Sequence, residues 1–455
     1  MLEAAHRSTA VLALAAALCL SGCARDVAHP DALVLIVVDT LRADRLGSYG
    51  YHRSTSPGLD RLAARGVVLE RAWAPSPWTL PSFASLYSGL LPSRHGAGVA
   101  PGAGPAPERG FSRLAGGVPV AAEILRSHGF ATAGFATNRF LQTAFGIERG
   151  FETYDVEHTQ LGRQRRADVI VDRALAWIDA HASGRFFLSI HILDPHMPYD
   201  APAPTGGRFT SELTPTPGLP FGNTRKMWGL AAQLGSEDRA YVSAAYDEEV
   251  AFVDLHLTRL LEQLESRGIL DRALVVLTSD HGEELFERDG FEHGHTLYQE
   301  LLHVPLVIWG PGLAASRIAS PVSLVDVLPT ALDALGIPKP ADLDGVSLWP
   351  AVRTGAEPPH RDLFAQATLY GPRRRAVIAW PYKLIVDLRT GHRELYDLSL
   401  DPRERRDLAP TQARLADELV AVIARRFSAR APAPRERAEL DPQTLEELRA
   451  LGYLE

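Results

Sequence analysis

Four short apolar runs constrain the fold more than any other feature of the chain. They are Leu33–Val38, Phe186–Ile192, Ala273–Leu277 and Pro305–Trp309, each bounded by turn or polar residues. Runs of this length and texture read as buried parallel strands, apolar on both faces and therefore covered by helices on both faces. Between them lie segments with apolar spacings of three and four. Val120–His128 and Ala167–Ala180 are two. Tyr246–Arg267 is the longest, with Val250, Val253, Leu257, Leu260, Leu261 and Leu264 on one helical face. Strands alternating with helices predict an α/β fold on a largely parallel sheet. Beyond about residue 360 short strand-like pieces follow, Arg375–Trp380 and Tyr382–Asp387, and predict a smaller C-terminal α+β subdomain. Pro101–Gly117 and Ala201–Gly222 read as long loops, at a substrate mouth or as surface insertions. Ala431–Pro434 reads as a linker, and Asp441-Pro442 as the N-cap and first-turn proline of a last helix ending near Gly452.

Cys19 and Cys23 are the only cysteines. The folded body therefore holds no disulfide framework, cysteine zinc site or catalytic thiol. Arg7, the apolar run Val11–Leu20 and the small residues Ser21-Gly22 read as an export signal, too short for an ordinary membrane span. Leu20-Ser21-Gly22-Cys23 resembles a bacterial lipobox. The expectation is a signal over 1–22, a lipid-bearing Cys23 on a tether over 23–31, and anchorage to a membrane of the cell envelope. The alternative is a plain secretory signal with an incidental cysteine. The body then divides into 32–358, a subdomain over 359–428, and a linker with terminal helix over 429–455. A net charge of −8 argues against nucleic-acid binding. Only Lys226, Lys339 and Lys383 are lysines, so a site that needs a cation must find arginine or histidine.

Chemistry concentrates where the strands end. Leu33–Val38 runs into Asp39, Phe186–Ile192 into Asp194-Pro195-His196, and Ala273–Leu277 through Thr278-Ser279 into Asp280-His281. In open α/β sheets ligands bind outside the carboxyl ends of the strands, and carboxylates with imidazoles are metal-ligand types. Thr79 precedes a proline-containing turn, and a helix can begin near Ser82–Tyr87. Its hydroxyl then sits near helix-end N–H groups that suit an anion. Alone, Thr79 reads as an N-cap; with metal ligands nearby it reads as a nucleophile.

Ordered landmarks carry a resemblance. They are Val37-Val-Asp-Thr-Leu-Arg-Ala-Asp-Arg-Leu-Gly-Ser-Tyr-Gly50, Ser56-Pro-Gly-Leu-Asp60, the Thr79 segment, Pro92-Ser-Arg-His-Gly96, Asp194-Pro-His-Met-Pro-Tyr199, Ser279-Asp-His-Gly-Glu283, His293-Gly-His-Thr-Leu-Tyr298, Val304-Pro305 and Leu395-Tyr-Asp-Leu398 with Asp401-Pro402. The chain resembles the sulfatase family of the alkaline phosphatase superfamily. The resemblance implies an alkaline-phosphatase-like sandwich of helices around a largely parallel sheet. It implies a metal-dependent hydrolase cleaving a sulfate or phosphate ester. Asp39, Thr79, Asp280 and His281 match the ligands of one divalent ion, calcium foremost, with manganese or magnesium as options. Thr79 stands at the nucleophile, and His196 matches a histidine on the leaving-group side. His293 falls where many members have lysine, and Asn138 where relatives place a group on the sulfuryl or phosphoryl oxygens. His295, Glu283 and Asp254 are candidates to support these residues, while Arg42, Asp44 and His95 read as structural.

The chain departs from the family at the nucleophile. Sulfatases proper carry Cys/Ser-x-Pro-x-Arg, whose first residue becomes formylglycine. Thr79-Leu-Pro-Ser-Phe83 cannot form that aldehyde and lacks the arginine. Direct attack by Thr79 is the family-like route left, and superfamily members with threonine nucleophiles act on phosphorus. With no lysine at 138 or 293, and Thr40 in place of a second aspartate, the site suits a monoanion, either a phosphodiester or a sulfate monoester. The expected partner is a sulfated or phosphorylated small molecule, glycan or lipid. The alternatives are a phosphoryl-group transferase acting on an envelope glycan or lipid, and a non-catalytic binding protein on the same fold.

Overall fold

The predicted apolar runs form the centre of a main sheet. Its strands are β1 (Ala32–Val38), β2 (Val67–Leu69), β3 (Ala131–Ala136), β4 (Thr153–Val156), β5 (Phe186–Ile192), β6 (Ala273–Ser279), β7 (Leu306–Trp309) and β8 (Ser316–Ile318). They lie in the order β8-β2-β7-β6-β1-β5-β3-β4. The computed structural model describes residues 29–100, 110–156, 165–220 and 224–450. The signal, Cys23, most of the tether and residues 101–109 of the first long loop lie outside them.

Strands β6, β1, β5, β3 and β4 pair in parallel. The run at Pro305–Trp309 is a correction: β7 is antiparallel to β6. The cause is the route of the chain. After β6 it stays at that strand's carboxyl end through residues 280–305 and re-enters the sheet from there.

Period-two alternation sorts the side chains into two cores. Leu33, Leu35 and Val37 of β1, Phe187 of β5 and Leu274 and Val276 of β6 share one face. Ala32, Val34, Ile36 and Val38 of β1 point the other way. Of the helices α1 (Pro57–Ala63), α2 (Thr79–Ser88), α3 (Ala121–Ser127), α4 (Ala167–His181) and α5 (Ser236–Ser266), α2 and α3 cover the first face. Helices α1, α4 and α5 cover the second. Helix α5 begins at Ser236, not at Tyr246: of its first ten residues only Asp238, Val242, Ala244 and Ala245 are buried, too few to mark an apolar stripe. Asp238 accepts the N–H and the hydroxyl of Thr216 instead of packing on the core. Apolar periodicity does not register such a segment.

The C-terminal subdomain is an antiparallel meander of β9 (Leu363–Gln366), β10 (Arg374–Ala379), β11 (Tyr382–Asp387) and β12 (Arg393–Asp397). Helix α6 (Ala413–Ser428) packs Leu419 and Ile423 on Val377, Leu384 and Leu395. The proline-rich segment that follows is not a free linker. It is strapped to the main domain, where Ala433 N–H donates to Ser93 O, Arg113 N–H to Glu436 O and Ala438 N–H to Phe111 O. Asp441 then caps α7 (Pro442–Ala450), accepting Thr444 N–H at 2.8 Å. Among the described residues no helix is long and apolar enough to cross a membrane.

Candidate active site

Strand register builds the site. Val38 pairs with Ser279, and Val37 pairs with both Thr278 and His191. One residue further, Asp39 and Asp280 leave the sheet level with each other and on the face covered by α2. Thr40 then turns through the left-handed region at φ 56°, its carbonyl accepting Tyr246 Oη–H at 2.8 Å. After His281 the chain must pass against another backbone: a Cβ at Gly282 would lie 2.1 Å from Glu300 O.

Thr79 is the first residue of α2, not its cap; the extended residue before it is Trp78. Ser82 Oγ donates to Asp280 O at 2.6 Å, tying the helix to β6. His95 holds the helix from behind. Its Nδ1 accepts Ala97 N–H at 3.1 Å, so Nε2 carries the proton for Pro81 O at 3.0 Å. That fulfils the structural reading of His95.

Asp39, Asp280 and His281 offer ligand atoms that lie within 4.8 Å of one another, all buried. His281 Nδ1 lies 2.9 Å from Gly282 O and donates to it, which leaves Nε2 as an acceptor with the Thr79 hydroxyl 3.4 Å away. Nε2 is 3.5 Å from Asp39 Oδ1 and 3.5 Å from Asp280 Oδ2. Neither oxygen accepts a hydrogen bond. Buried acceptors are otherwise almost always satisfied. Three lone pairs aimed at one point repel one another unless a cation sits between them. The ionisation pattern agrees. Burial works against an ionised Asp39, but a hydrogen bond from His191 and the surrounding imidazoles hold its carboxyl well below the usual range. Burial and the Asp39 charge push Asp280 well above it. Burial pushes His281 down to about 4. Two carboxylates that cannot both ionise alone can do so around a divalent cation. The donor set therefore fits such an ion, with Thr79 Oγ1 3.4 Å from His281 Nε2 as a further oxygen.

Other expected residues sort by contact. Asn138 Nδ2 donates to Asp39 Oδ2 at 2.6 Å and to Thr79 Oγ1 at 3.2 Å, so it joins the carboxylate to the hydroxyl. His293 is buried with Nδ1 2.8 Å from Glu283 Oε1. Burial, His281 and His196 push it well below the usual histidine range. Burial and Glu292 push Glu283 up. His196 is half-buried, donates from Nδ1 to Met197 O at 2.7 Å, and has its ring 5.1 Å from that of His293. Glu283 thus supports the site as expected. His295 does not, since its Nε2 turns to Glu284 at 2.7 Å. Asp254 accepts Gly58 and Leu59 N–H at the start of α1. Asp194 takes Ala167 N–H and Arg166, and burial pushes its carboxyl up to about 6. Arg42 grips Asp44, Glu287 and the carbonyl of Glu283, a structural clamp.

His191 escaped the sequence reading. It is buried within β5, its Nε2 3.2 Å from Asp39 Oδ2. Its signal was present: an imidazole inside an otherwise apolar run, one pleat before the carboxyl end. Phe83, where the formylglycine motif has arginine, is buried with its ring 4.9 Å from that of Tyr87 and 5.5 Å from that of His191. An apolar ring therefore stands where that motif supplies a cation.

Comparison with known proteins gives the family and the fold. The family profile "Sulfatase" matches residues 31–337, and "N-sulphoglucosamine sulphohydrolase, C-terminal" matches 289–429. The chain belongs to the sulfatase family, a class of ester-hydrolysing enzymes. It is 26% identical over 447 residues to Arylsulfatase K of Bos taurus, covering 84% of this chain and 79% of that protein. Among solved structures, one of a protein in complex with its substrate D-glucosamine-2-N,6-O-disulfate superposes with a TM-score of 0.71 at 20% identity, covering 88% of this chain and 98% of that one. The phosphonate monoester hydrolase of Agrobacterium radiobacter superposes at 0.68 with 22% identity, covering 88% and 95%.

Proposed function

We propose that the protein hydrolyses a sulfate ester on a sugar by direct attack of Thr79, with one divalent cation, calcium foremost, bound by Asp39, Asp280, His281 and Thr79. The observation that carries this reading is the pair of unpaired buried oxygens, Asp39 Oδ1 and Asp280 Oδ2, facing an imidazole nitrogen beside the Thr79 hydroxyl. When bound, such an ion acidifies a hydroxyl and neutralises substrate oxygens. Asn138 donates to Thr79 Oγ1 and so favours its ionised form. Thr79 Oγ1, its proton released to solvent, attacks sulfur, the bond from sulfur to the sugar oxygen breaks, and His196 gives that oxygen a proton. Water then releases sulfate from Thr79.

Charge supports a monoanionic group. Phe83 and Asn138 carry no charge, and burial disfavours a cationic His293. A sulfate monoester and a phosphodiester both meet that condition. The family match and the sugar disulfate bound by a neighbour favour the sulfate; the threonine nucleophile keeps the phosphodiester as the second reading, along with transfer to an envelope acceptor. We further propose that Cys23 anchors the chain to the envelope, which fatty-acid labelling of the parent and Cys23→Ser tests.

A panel of aryl sulfate, phosphate monoester, phosphodiester and phosphonate tests the chemistry, with Thr79→Ala alongside. Turnover lost in Thr79→Ala and a sulfuryl or phosphoryl adduct on the quenched Thr79 peptide are the expected results. Full turnover in Thr79→Ala would overturn direct attack.

A further inference from the structure

A cavity of about 1200 Å³ lies apart from the catalytic crevice. None of Asp39, Thr79, Asp280, His281, His196 and His293 lines it. It opens between the catalytic domain and the C-terminal subdomain. Contacts link the two places: Arg42 lines the cleft and donates to Glu283 O, and Glu283 holds His293. The volume exceeds the roughly 300–1000 Å³ of ordinary small-molecule pockets, so it admits more than one sugar ring.

Charge sets this cleft apart. Eight arginines and five carboxylates line it, in a protein whose net charge is −8. Five of the arginines are committed to carboxylates: Arg42 and Arg45, then Arg53, Arg288 and Arg317. The other three, Arg71, Arg403 and Arg405, have no carboxylate within ion-pair distance among the described residues. Arg403 and Arg405 are exposed.

The wall that carries them is built, not loose. Between them Glu404 turns inward at φ 51° and meets Lys383 at 2.7 Å, both side chains fully buried. Glu404 also accepts Gln299 N–H at 2.7 Å, and Arg288 donates to the carbonyls of Arg403 and Glu404. On either side of this buried residue, Arg403 and Arg405 are exposed and line the cleft. Opposite, the Arg71 guanidinium lies 4.2 Å from the ring centre of Trp380. Tyr49 and Tyr51 add half-buried ring surface.

We propose that this cleft is a second, non-catalytic binding site for an anionic sugar chain. Arg71, Arg403 and Arg405 take its sulfate or carboxylate groups, and the aromatic wall takes its ring faces. Guanidinium forks match such oxyanions in pairs of hydrogen bonds. Binding here is independent of the chemistry at Thr79. A chain held in the cleft while one of its esters enters the crevice gains effective concentration, not a new reaction.

The test is calorimetric titration of the full chain carrying Thr79→Ala with a chondroitin sulfate hexasaccharide and with its desulfated counterpart. The sulfated chain is expected to bind, more weakly as salt rises. Adding Arg403→Glu and Arg405→Glu should weaken it at least tenfold, and adding Arg71→Ala severalfold. Turnover of a small aryl ester by the charge-reversed protein with Thr79 intact should stay within twofold, which shows that it is folded. It also separates this site from the proposed catalysis, which fails or stands on that turnover alone. Equal affinity in the charge-reversed protein, equal binding of the desulfated chain, or no binding by the parent would each overturn the cleft as a glycan site.

Discussion

Asp247 and Asp280 are both fully buried carboxylates, and they do opposite work. Asp247 sits in α5 with both oxygens occupied: Arg45 at 3.0 Å on one, Arg53 at 2.8 Å and Tyr51 Oη–H at 2.6 Å on the other. Asp280 sits at the end of β6 with one oxygen on its neighbour's N–H at 3.0 Å and the other on nothing. A saturated buried charge is a structural device. An unsaturated one, facing a second carboxylate, fits a cation. Burial alone separates neither role; the count of partners does.

Substitution should separate them by sign. Asp280→Asn removes a ligand oxygen and should cost roughly three orders of magnitude in turnover, the several kcal/mol a Lewis-acid cation supplies. It should leave the metal-free fold as stable or more so, because it relieves the repulsion with Asp39. Asp247→Ala should do the reverse. It strands two arginines and should cost about 3–5 kcal/mol of unfolding free energy, read by denaturant melts, with turnover per folded molecule kept.

Acid and chelation sharpen the contrast. The Asp280 carboxyl is raised in the fold, so its protonated form stabilises the metal-free protein at low pH. That contribution is lost as pH rises through the elevated range. A cation needs the ionised form, so metal affinity should climb over the same range. Thermal melts with chelator should therefore fall with rising pH, and melts with calcium should rise, by about 2.7 kcal/mol at a hundredfold excess over Kd. No such divergence is expected from Asp247. Smallest is the effect of His191→Phe. It removes a partner of Asp39 Oδ2 without touching Oδ1, and should weaken metal binding about 10–100-fold by titration.

Much of this was legible in the sequence. Apolar runs gave away the central strands, the polar residues at their ends pointed to Asp39, Asp280 and His281, and a proline-containing turn before a helix pointed to Thr79. What stayed hidden has physical reasons. His191 lay inside a run read only for its apolarity. The first ten residues of α5 bury only Asp238, Val242, Ala244 and Ala245, so no apolar stripe marks them. The direction of β7 depends on the path of residues 280–305, which strand texture does not encode. The strap over 431–440 is proline-rich because it runs extended over another surface, and composition reads that as a free linker.

The most direct single measurement is metal content and calorimetric metal titration of the parent chain beside Asp280→Asn and Asp247→Asn. The expected result is one divalent ion per chain in the parent and in Asp247→Asn, and none in Asp280→Asn. An ion retained by Asp280→Asn, or a metal-free parent that turns substrate over at its full rate, would contradict the assignment of the unpaired oxygens to a cation.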